Sequence, residues 1–272
     1  MPELPEIEIL KLQLQKIALD HTVYDIEILV DKLRKPVPKT LKTDILNRKI
    51  NSIERRGKFL LFNLSNDNIL AIHLGMTGQL LVAPNSGKNT ALSEKHLRVV
   101  FRLGSFAIKF FDTRKFGLID IFHQNPEYIT SLGIDPLSNE FDAKRLFSLT
   151  RNNNVTIKSL LLNQKKISGI GNIYANDALF YAGINPMRSS ATITQEESGK
   201  LAQSIKSVLC NAISLGGTSM KDYIHLDGKK GRYQDHFLVY SKSGLSCSKC
   251  GCVILKKKID GRSSFFCKNC QQ

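Results

Sequence analysis

The cysteines are the feature that most restricts how this chain folds, because five of the six lie within its last 26 residues. They include two Cys-x-x-Cys pairs, Cys247 with Cys250 and Cys267 with Cys270, which are separated by sixteen residues. This spacing is typical of a structural zinc site in which two tight turns bring four thiolates to one tetrahedron. We interpret Cys252 as a nearby thiol, because Cys-x-Cys spacing suits two ligands of one tetrahedral ion poorly. The sequence therefore predicts one structural Zn²⁺ near the end of the chain.

The charge balance points to an anionic partner. Lys and Arg number 39 against 24 Asp and Glu, a formal net charge of +15, which favours nucleic acid or a membrane surface as partner. The apolar fraction of 42% fills a core, so a disordered basic tail and a collagen-like fibre are excluded. The longest apolar run, residues 178–182, is too short for a membrane-spanning helix. The acidic start of the chain differs from a secretory signal, so we expect a cytoplasmic protein.

Hydrophobic periodicity predicts a β-rich part followed by a helical part. Residues 5–18 carry apolar side chains at helical spacing. Short β-like runs, which together predict an antiparallel sandwich or barrel, follow at residues 24–30, 59–64, 69–74, 80–83, 97–103, 107–111 and 118–122. The pattern then becomes helical, with Thr194 and Glu197 forming a capping box. Residues 216–236 lack periodicity and predict a long mobile loop, whereas residues 237–240 predict one further strand.

Two segments carry residues suited to chemistry on nucleic acid. Residues 256–266, between the cysteine pairs, combine basic and aromatic side chains, a composition suited to a hairpin in a DNA groove. At the other end, removal of Met1 leaves Pro2 as a secondary amine, and α-amino groups titrate near about 7.7–8.0. Such an amine attacks a sugar carbon and forms an iminium, an electron sink. Glu3 and Glu6 lie beside it in the sequence and are able to move protons.

Six segments occur together in a characteristic order. They are the Met-Pro-Glu-Leu-Pro-Glu start, Arg-Arg-Gly-Lys at 55–58, His-Leu-Gly-Met-Thr-Gly at 73–78, Asp-Thr-Arg-Lys-Phe-Gly at 112–117, Gly-Ile-Gly-Asn-Ile-Tyr-Ala-Asn at 169–176 and the four-cysteine tail. From residue 2 to residue 272 the chain resembles bacterial formamidopyrimidine-DNA glycosylase. Leu4 favours this branch over the related endonuclease VIII group, which usually begins Met-Pro-Glu-Gly-Pro-Glu.

The resemblance implies an α+β, multidomain fold. Residues 1–130 are expected to form an antiparallel β-sandwich with an N-terminal helix, and residues 131–236 a helix–two-turn–helix domain with a lesion-capping loop. Residues 237–272 are expected to form a four-cysteine zinc-finger β-hairpin. The implied activity is excision of oxidised purines from duplex DNA through a Pro2 Schiff base, followed by β,δ-elimination at the abasic site. A monomer in the bacterial cytoplasm, without a membrane partner, is expected.

The resemblance also implies roles for individual residues. Pro2 is the nucleophile at the sugar C1′, and Glu3 transfers protons as the sugar ring opens. Lys58 donates a proton and contacts phosphate or lesion, while Arg262 anchors a phosphate and belongs to the elimination step. Met76, Arg114 and Phe116 fill the space that the flipped base vacates, and Arg114 pairs with the orphaned cytosine. Further DNA contacts are assigned to Glu6, His96, Asn154, Lys158, Asn172 and Lys221. Asn172 is also predicted to be the N-cap of a helix that holds a phosphate.

Several positions depart from the family pattern. Lys95-His-Leu-Arg98 stands where the family often has Lys-His-Asp-His, and Asn154 stands where a basic residue is usual. Tyr240-Ser-Lys242 replaces Tyr-Gly-Arg, and Cys252 replaces a small residue without a thiol. Two alternatives stay open beside the leading one. The same scaffold would act on oxidised pyrimidines, or a non-catalytic zinc-containing protein would only recognise damaged DNA.

Overall fold

The computed structural model describes residues 2–85, 92–151, 153–220 and 224–272. The chain forms two compact units, the first made of the chain up to Thr130 with Gly216–Arg232 and the second of Ser131–Leu215 with Tyr233–Gln272. The three domain limits expected from the sequence stay a prediction. None of the helices in the described ranges has both the length and the apolar character that a membrane crossing requires.

The first unit is built from one long helix and antiparallel strands. Helix α1 (Leu4–Ala18) begins with Pro5 in its first turn, where the missing N–H costs nothing, and it buries Ile7, Leu10 and Leu14, as predicted. The short helices are α2 (Leu41–Ile45) and α3 (Glu127–Thr130). The strands are β1 (Thr22–Ile28), β2 (Arg48–Arg56), β3 (Phe59–Leu64), β4 (Ile69–His73), β5 (Gly78–Pro84), β6 (Leu97–Leu103), β7 (Phe106–Asp112) and β8 (Leu118–Phe122).

These strands form two four-stranded halves that share one core. The order is β5-β7-β6-β1-β2-β3-β4-β8, and all pairs are antiparallel. Strands β1 and β2 pair at only two positions, Thr22 with Lys49 and Val23 with Arg48. Inward side chains of both halves pack with α1 in a single hydrophobic cluster. This arrangement confirms the predicted antiparallel β-sandwich.

The predicted alternation over residues 24–30 holds only in part, because Ile26 and Val30 are buried whereas Tyr24 and Ile28 are exposed. The buried residues of β1 are Val23 and Ile26, which are three apart, whereas Tyr24 is exposed. A β-bulge explains the spacing, because β1 advances two residues between Val23 and Asp25 while its partner β6 advances one. One extra residue moves every following side chain to the other face of the sheet.

Strand β2 has no counterpart among the predicted runs. Its buried apolar residues, Ile50 and Ile53, are also three apart, and a second bulge lies between Ile50 and Ser52. Charged residues occupy much of the remaining strand. A bulged strand with so few apolar positions lacks the period of two by which strands are recognised.

The second unit consists of helices and a β-hairpin. The helices are α4 (Ala143–Thr150), α5 (Ile157–Leu162), α6 (Asn172–Ala182) and α7 (Gln195–Ser214), and the hairpin pairs β9 (Ile254–Ile259) with β10 (Arg262–Cys267). The predicted capping box begins α7: the Thr194 hydroxyl accepts the Glu197 N–H at 3.1 Å, and the Glu197 carboxylate accepts the Thr194 N–H at 2.8 Å.

The strand predicted at residues 237–240 is absent. The backbone N–H groups of Leu238, Val239 and Tyr240 donate to the carboxylate of Asp177, on α6, at 3.1–3.3 Å. Asp177 is fully buried, and its carboxylate takes the donors that a neighbouring strand would otherwise accept. The segment therefore wraps around one side chain instead of joining a sheet.

The described part of the predicted loop, residues 216–236, contains well-defined contacts. His225 Nε2 bonds with the Gly216 carbonyl oxygen at 2.6 Å, and the Gly231 N–H donates to Ser219 Oγ at 2.9 Å. A 3₁₀ turn at Tyr233–His236 follows. Both ends of the segment up to Gly231 are thus tied to each other.

Candidate active site and nucleic-acid interface

The first turn of α1 holds the residues that the sequence singles out for chemistry. Pro2, Glu3 and Glu6 are all buried. The Glu6 carboxylate accepts the backbone N–H of Glu3 through Oε2 and that of Thr218 through Oε1, both at 2.7 Å. Gly217 permits this approach, because a Cβ there would lie 2.7 Å from Glu6 Oε1. Glu6 therefore ties the start of α1 to a second segment of the same unit.

Lys58 follows the tight turn between β2 and β3, which an ion pair braces. Gly57 in this turn adopts a φ of +58°, a conformation that glycine accepts without strain. The Arg55 guanidinium donates to the Glu8 carboxylate at 2.6 Å and to the Gly57 carbonyl oxygen at 3.3 Å. Burial alone would raise the pKa of Glu8, but hydrogen bonds from Lys11 and Arg55 outweigh it and lower that pKa. Ionised Glu8 thus holds α1 against the turn that precedes Lys58.

His73, which sequence reasoning did not assign a role, ends β4. Its Nδ1 accepts the Gly75 N–H at 3.0 Å, and its ring packs against Phe59 with centroids 4.7 Å apart. Burial first, and then the positive charges of Lys58 and Arg34, lower the pKa of His73 to about 4. The imidazole is therefore neutral at physiological pH, and the bond from Gly75 assigns its proton to Nε2.

Three side chains predicted to enter the duplex project from two adjoining turns of the first unit. Met76 and Phe116 are each 44% exposed although both are large and apolar. The Arg114 guanidinium lies over the Phe116 ring, 4.5 Å from its centroid. Gly75 lets the turns meet, because a Cβ there would lie 2.3 Å from the Phe116 carbonyl oxygen. The structure therefore brings Met76, Arg114 and Phe116 to one region of the surface and leaves Met76 and Phe116 outside the core.

Arg262 is exposed next to the turn of the β9–β10 hairpin. The two turn residues, Asp260 and Gly261, have φ values of +46° and +74°. Positive φ at both central positions is the requirement of a type I′ turn, for which Asp-Gly is a favoured sequence. Ile259 pairs with Arg262 across the turn, so the position of Arg262 is fixed by the hairpin register.

Two predicted DNA contacts, Lys158 and Asn172, support this hairpin. Lys158 is fully buried, and its Nζ donates to the Ser263 carbonyl oxygen at 2.9 Å and to Ser264 Oγ at 2.6 Å. The Asn172 side-chain amide donates to the same Ser263 oxygen at 3.1 Å. A buried ammonium needs such partners. In this arrangement both side chains orient the hairpin, and their phosphate contacts stay predictions.

The prediction that Asn172 is a helix N-cap is wrong by one position. Gly171 is the N-cap of α6, with extended backbone angles of −128° and −167°, and Asn172 is the first helical residue. The Asn172 side chain bonds to the hairpin instead of to its own helix.

The other predicted DNA contacts are dispersed. His96 ends a 3₁₀ turn, Glu94–His96, directly before β6. Asn154 is exposed in the loop before α5. Lys221 lies outside the described residues.

Four thiols form a candidate metal centre beside the hairpin. The Sγ atoms of Cys247, Cys250, Cys267 and Cys270 all lie within 4.8 Å of one another. Two of their separations are 3.4 Å, between Cys250 and Cys267, and 3.8 Å, between Cys247 and Cys270. The four predicted ligands are thus brought together where one metal ion fits.

Two family models match most of the chain. The formamidopyrimidine-DNA glycosylase N-terminal domain matches residues 1–119, and the formamidopyrimidine-DNA glycosylase H2TH domain matches residues 132–223. The chain belongs to the formamidopyrimidine-DNA glycosylase family. The predicted family is thereby confirmed, together with its β-sandwich, its helix–two-turn–helix domain and its four-cysteine hairpin.

Relatives and solved structures of the same family are similar to this chain over its full length. A formamidopyrimidine-DNA glycosylase of Wolbachia sp. subsp. Brugia malayi (strain TRS) is 38% identical over 274 residues, covering 100% of both chains. A complex of Lactococcus lactis Fpg with abasic-site DNA has a TM-score of 0.90 at 32% identity and covers 99% of both chains. A complex of the wild-type Lactococcus lactis Fpg with N7-benzyl-Fapy-dG containing DNA has the same score and identity and covers 100% of both.

In this member of the glycosylase family, sequence reasoning missed polar residues that hold the backbone in place, namely the half-buried Glu8 and the fully buried Asp112 and Asp177. Glu8, Asp112 and Asp177 each accept hydrogen bonds from a different segment of their own unit. Asp112 stands within a recognised motif, yet neither spacing nor composition reveals what it contacts. Such contacts depend on turns and bulges, which leave no periodic signal.

Proposed function

We propose that this chain excises oxidised purines, such as 8-oxoguanine and formamidopyrimidines, from duplex DNA and then cleaves the strand at the abasic site. As a family member it is a DNA glycosylase for oxidised bases. The observation that carries the finer proposal is the position of Pro2, directly ahead of the helix turn that holds the buried carboxylates of Glu3 and Glu6. A terminal secondary amine next to a carboxyl group supplies both a nucleophile and a proton carrier.

The chemistry begins at Pro2 after Met1 is removed. The amine lone pair forms a bond to C1′ while the C1′–base bond breaks, and the departing base gains the proton that the Pro2 nitrogen loses. Glu3 delivers a proton to O4′ as the sugar ring opens, which leaves an iminium between the Pro2 nitrogen and C1′. A base removes a C2′ proton, and the electron pair of the C2′–H bond moves toward the iminium to form an enamine. The enamine expels the 3′-phosphate, and a second elimination expels the 5′-phosphate. Water then hydrolyses the iminium, which releases the Pro2 amine and the sugar remnant as an unsaturated aldehyde.

The exposed side chains of the first unit support recognition of a flipped base. A base inside the stack is out of reach, so it rotates out and leaves a void opposite its partner. Met76 and Phe116 have the exposure and apolar character of wedges that enter such a void. Arg114 lies beside them and donates hydrogen bonds to the orphaned cytosine. Lys58 and Arg262 anchor phosphates of the damaged strand.

The metal of the four-cysteine centre is proposed to be zinc in a structural role. Tetrahedral zinc with Zn–S bonds of about 2.3 Å requires sulfurs about 3.8 Å apart, which the observed separations of 3.4 and 3.8 Å approach. Four protein thiolates leave no open position for water, so the ion would fix the base of the hairpin and take no part in the reaction.

Two other functions are not favoured. A non-catalytic damage-binding protein has no need of the Pro2, Glu3 and Lys58 set, which this chain retains in full. Leu4 and the family models favour oxidised purines over the pyrimidine lesions of the endonuclease VIII group. The proposed partner is duplex DNA with oxidised bases or abasic sites. We propose that the protein binds it as a monomer in the bacterial cytoplasm.

Borohydride trapping tests the proposal. Protein whose mass confirms that it starts at Pro2, and whose native mass shows one bound zinc, is incubated with an 8-oxoguanine:cytosine duplex and sodium borohydride. We expect a covalent protein–DNA adduct, because the reductant converts the iminium to a stable amine. Pro2→Gly is expected to lose oxoguanine excision, and Glu3→Gln to lose excision while it still traps a preformed abasic site.

The control is a Cys210→Ala variant, which alters an exposed thiol away from the metal cluster and should trap as the unmodified protein does. Absence of an adduct with protein that starts at Pro2 and binds the duplex would contradict the enzymatic proposal. A trapping yield five times higher with a thymine glycol duplex would move the substrate to oxidised pyrimidines.

A further inference from the structure

A buried carboxylate joins the two turns that carry the proposed void-filling side chains. Asp112, the last residue of β7, is fully buried. Its Oδ1 accepts the Thr77 hydroxyl at 2.6 Å and the Arg114 N–H at 3.2 Å, and its Oδ2 accepts the Gly117 N–H at 2.7 Å. One side chain therefore fixes both ends of the 113–117 turn and the residue that follows Met76.

Thr77 completes the junction. Its hydroxyl oxygen accepts the Arg114 N–H at 3.2 Å while the same group donates to Asp112. The Met76 turn and the Arg114 turn are thus joined by polar bonds as well as by the close approach of Gly75 to the Phe116 carbonyl group. Since Met76 and Phe116 are themselves exposed, their placement depends on this polar junction and not on core packing.

Arg98 extends the junction to a third turn. Leu97 pairs with Phe111 and Val99 with Phe110, so Arg98 is the extra residue of a β-bulge in β6. Bulges redirect side chains, often beside functional sites. The Arg98 guanidinium donates to the Asp112 carbonyl oxygen through Nε at 2.9 Å and to the Lys95 carbonyl oxygen at 3.1 Å. It therefore links the end of β7 to the turn that contains His96.

We propose that Asp112, Thr77 and Arg98 form a clamp that positions Met76, Arg114 and Phe116, and that this clamp sets the preference for cytosine opposite the lesion. The inference rests on the proposed glycosylase function and adds positioning residues to it. The role of the clamp side chains in this proposal is to position other residues. They hold the Arg114 backbone, and the direction of its guanidinium decides which orphaned base accepts its hydrogen bonds. In this chain an arginine provides the third connection, at a position where the family often has histidine.

Arg98→Ala and Thr77→Val test the clamp without removing the buried carboxylate. Excision is measured on 8-oxoguanine:cytosine and 8-oxoguanine:adenine duplexes, and borohydride trapping on single-stranded abasic DNA, which has no orphaned base. We expect both variants to lose about 10–100-fold in excision opposite cytosine, the scale of a lost positioning contact. Excision opposite adenine should fall less, so the cytosine-to-adenine ratio decreases, while single-strand trapping stays at the wild-type rate.

Two matched variants control for general damage. Thr77→Ser keeps the hydroxyl and should restore the ratio. Arg102→Ala removes an arginine from the same strand, where it pairs with Asp25 and Glu27, and should leave the ratio unchanged. If the wild type neither excises 8-oxoguanine from the duplexes nor forms an adduct with single-stranded abasic DNA, the proposed function itself fails. If the wild type is active and the clamp variants keep its ratio, or lose single-strand trapping in equal measure, the clamp is refuted.

Discussion

At the scale of single residues, buried carboxylates hold the backbone of this protein in place. The Glu6 carboxylate accepts hydrogen bonds from two backbone N–H groups. The Asp112 carboxylate accepts two backbone N–H groups and the Thr77 hydroxyl. The Asp177 carboxylate accepts three backbone N–H groups and the Tyr233 hydroxyl. A buried acceptor that loses its hydrogen-bond donor costs about 1–3 kcal/mol. Each carboxylate therefore resists displacement of the backbone that it binds. Around Asp112 this also restricts the exposed side chains of Met76, Arg114 and Phe116.

The lowered pKa of His73 predicts how the stability of the protein depends on pH. Its pKa is about 4 in the folded protein and about 6.5 in an unfolded chain, so the unfolded state binds more protons between these values. The stability that neutral His73 contributes is complete above pH of about 6.5 and is lost as the pH falls through about 4. We expect the free energy of unfolding in urea to fall more between pH 7 and pH 4.5 in the wild type than in His73→Asn.

The asparagine variant is a suitable comparison because its side-chain oxygen can accept the Gly75 N–H but does not titrate in this range. All other titrating groups are the same in both proteins. Equal losses of stability in the two proteins over this range would show that His73 is not held in its neutral form.

At the scale of elements, the sequence predicts what is periodic and local, and fails where a bulge or a side chain replaces the repeat. Helix α1, the regular strands and the Thr194 capping box follow from spacing alone. The face of β1 and the existence of β2 do not, because a bulge in each separates the buried residues by three positions. Residues 237–240 read as a strand because they are apolar, yet Asp177 is their hydrogen-bond acceptor. The four thiols of the metal centre were predicted because their spacing encodes two tight turns.

We predict that the buried Lys158 ammonium orders the β9–β10 hairpin. Lys158→Met keeps the length of the side chain but removes the donor that binds Ser263 and Ser264. We expect faster amide hydrogen exchange in β9 and β10, since the hairpin loses its buried polar connection to α5 and keeps the bond from the Ser159 hydroxyl to Asp260. We also expect slower strand cleavage. Hydrogen exchange followed by mass spectrometry, with peptides covering residues 254–267, measures the first effect.

Lys256→Met is the matched control. Lys256 is exposed on β9, so the substitution removes the same charge without a buried hydrogen bond, and exchange in the hairpin should stay at the wild-type level. Unchanged exchange in Lys158→Met would show that the buried ammonium does not order the hairpin.

At the scale of the whole molecule, the excess of positive charge is the property that favours DNA before any specific contact forms. The formal charge of +15 falls to about +13 once four thiolates and one zinc ion are counted. Charge of this size raises the rate of encounter with a polyanion and makes binding depend on salt. It does not say which cations meet phosphates. For Lys158, whose buried ammonium binds protein oxygens, we expect no phosphate contact.

The salt dependence of binding separates phosphate contacts from structural cations. Each neutralised phosphate contributes about −0.9 to the slope of log Kobs against log salt concentration on duplex DNA. With a duplex that contains an uncleavable abasic analogue, we expect Arg262→Gln to make the slope shallower by about 0.9, because Arg262 is exposed at the hairpin turn. Lys158→Met should weaken binding at every salt concentration without changing the slope, since its ammonium releases no counterion from DNA. A shallower slope for Lys158→Met would mean that the lysine leaves Ser263 and Ser264 to reach a phosphate in the complex, and an unchanged slope for Arg262→Gln would remove Arg262 from the phosphate contacts.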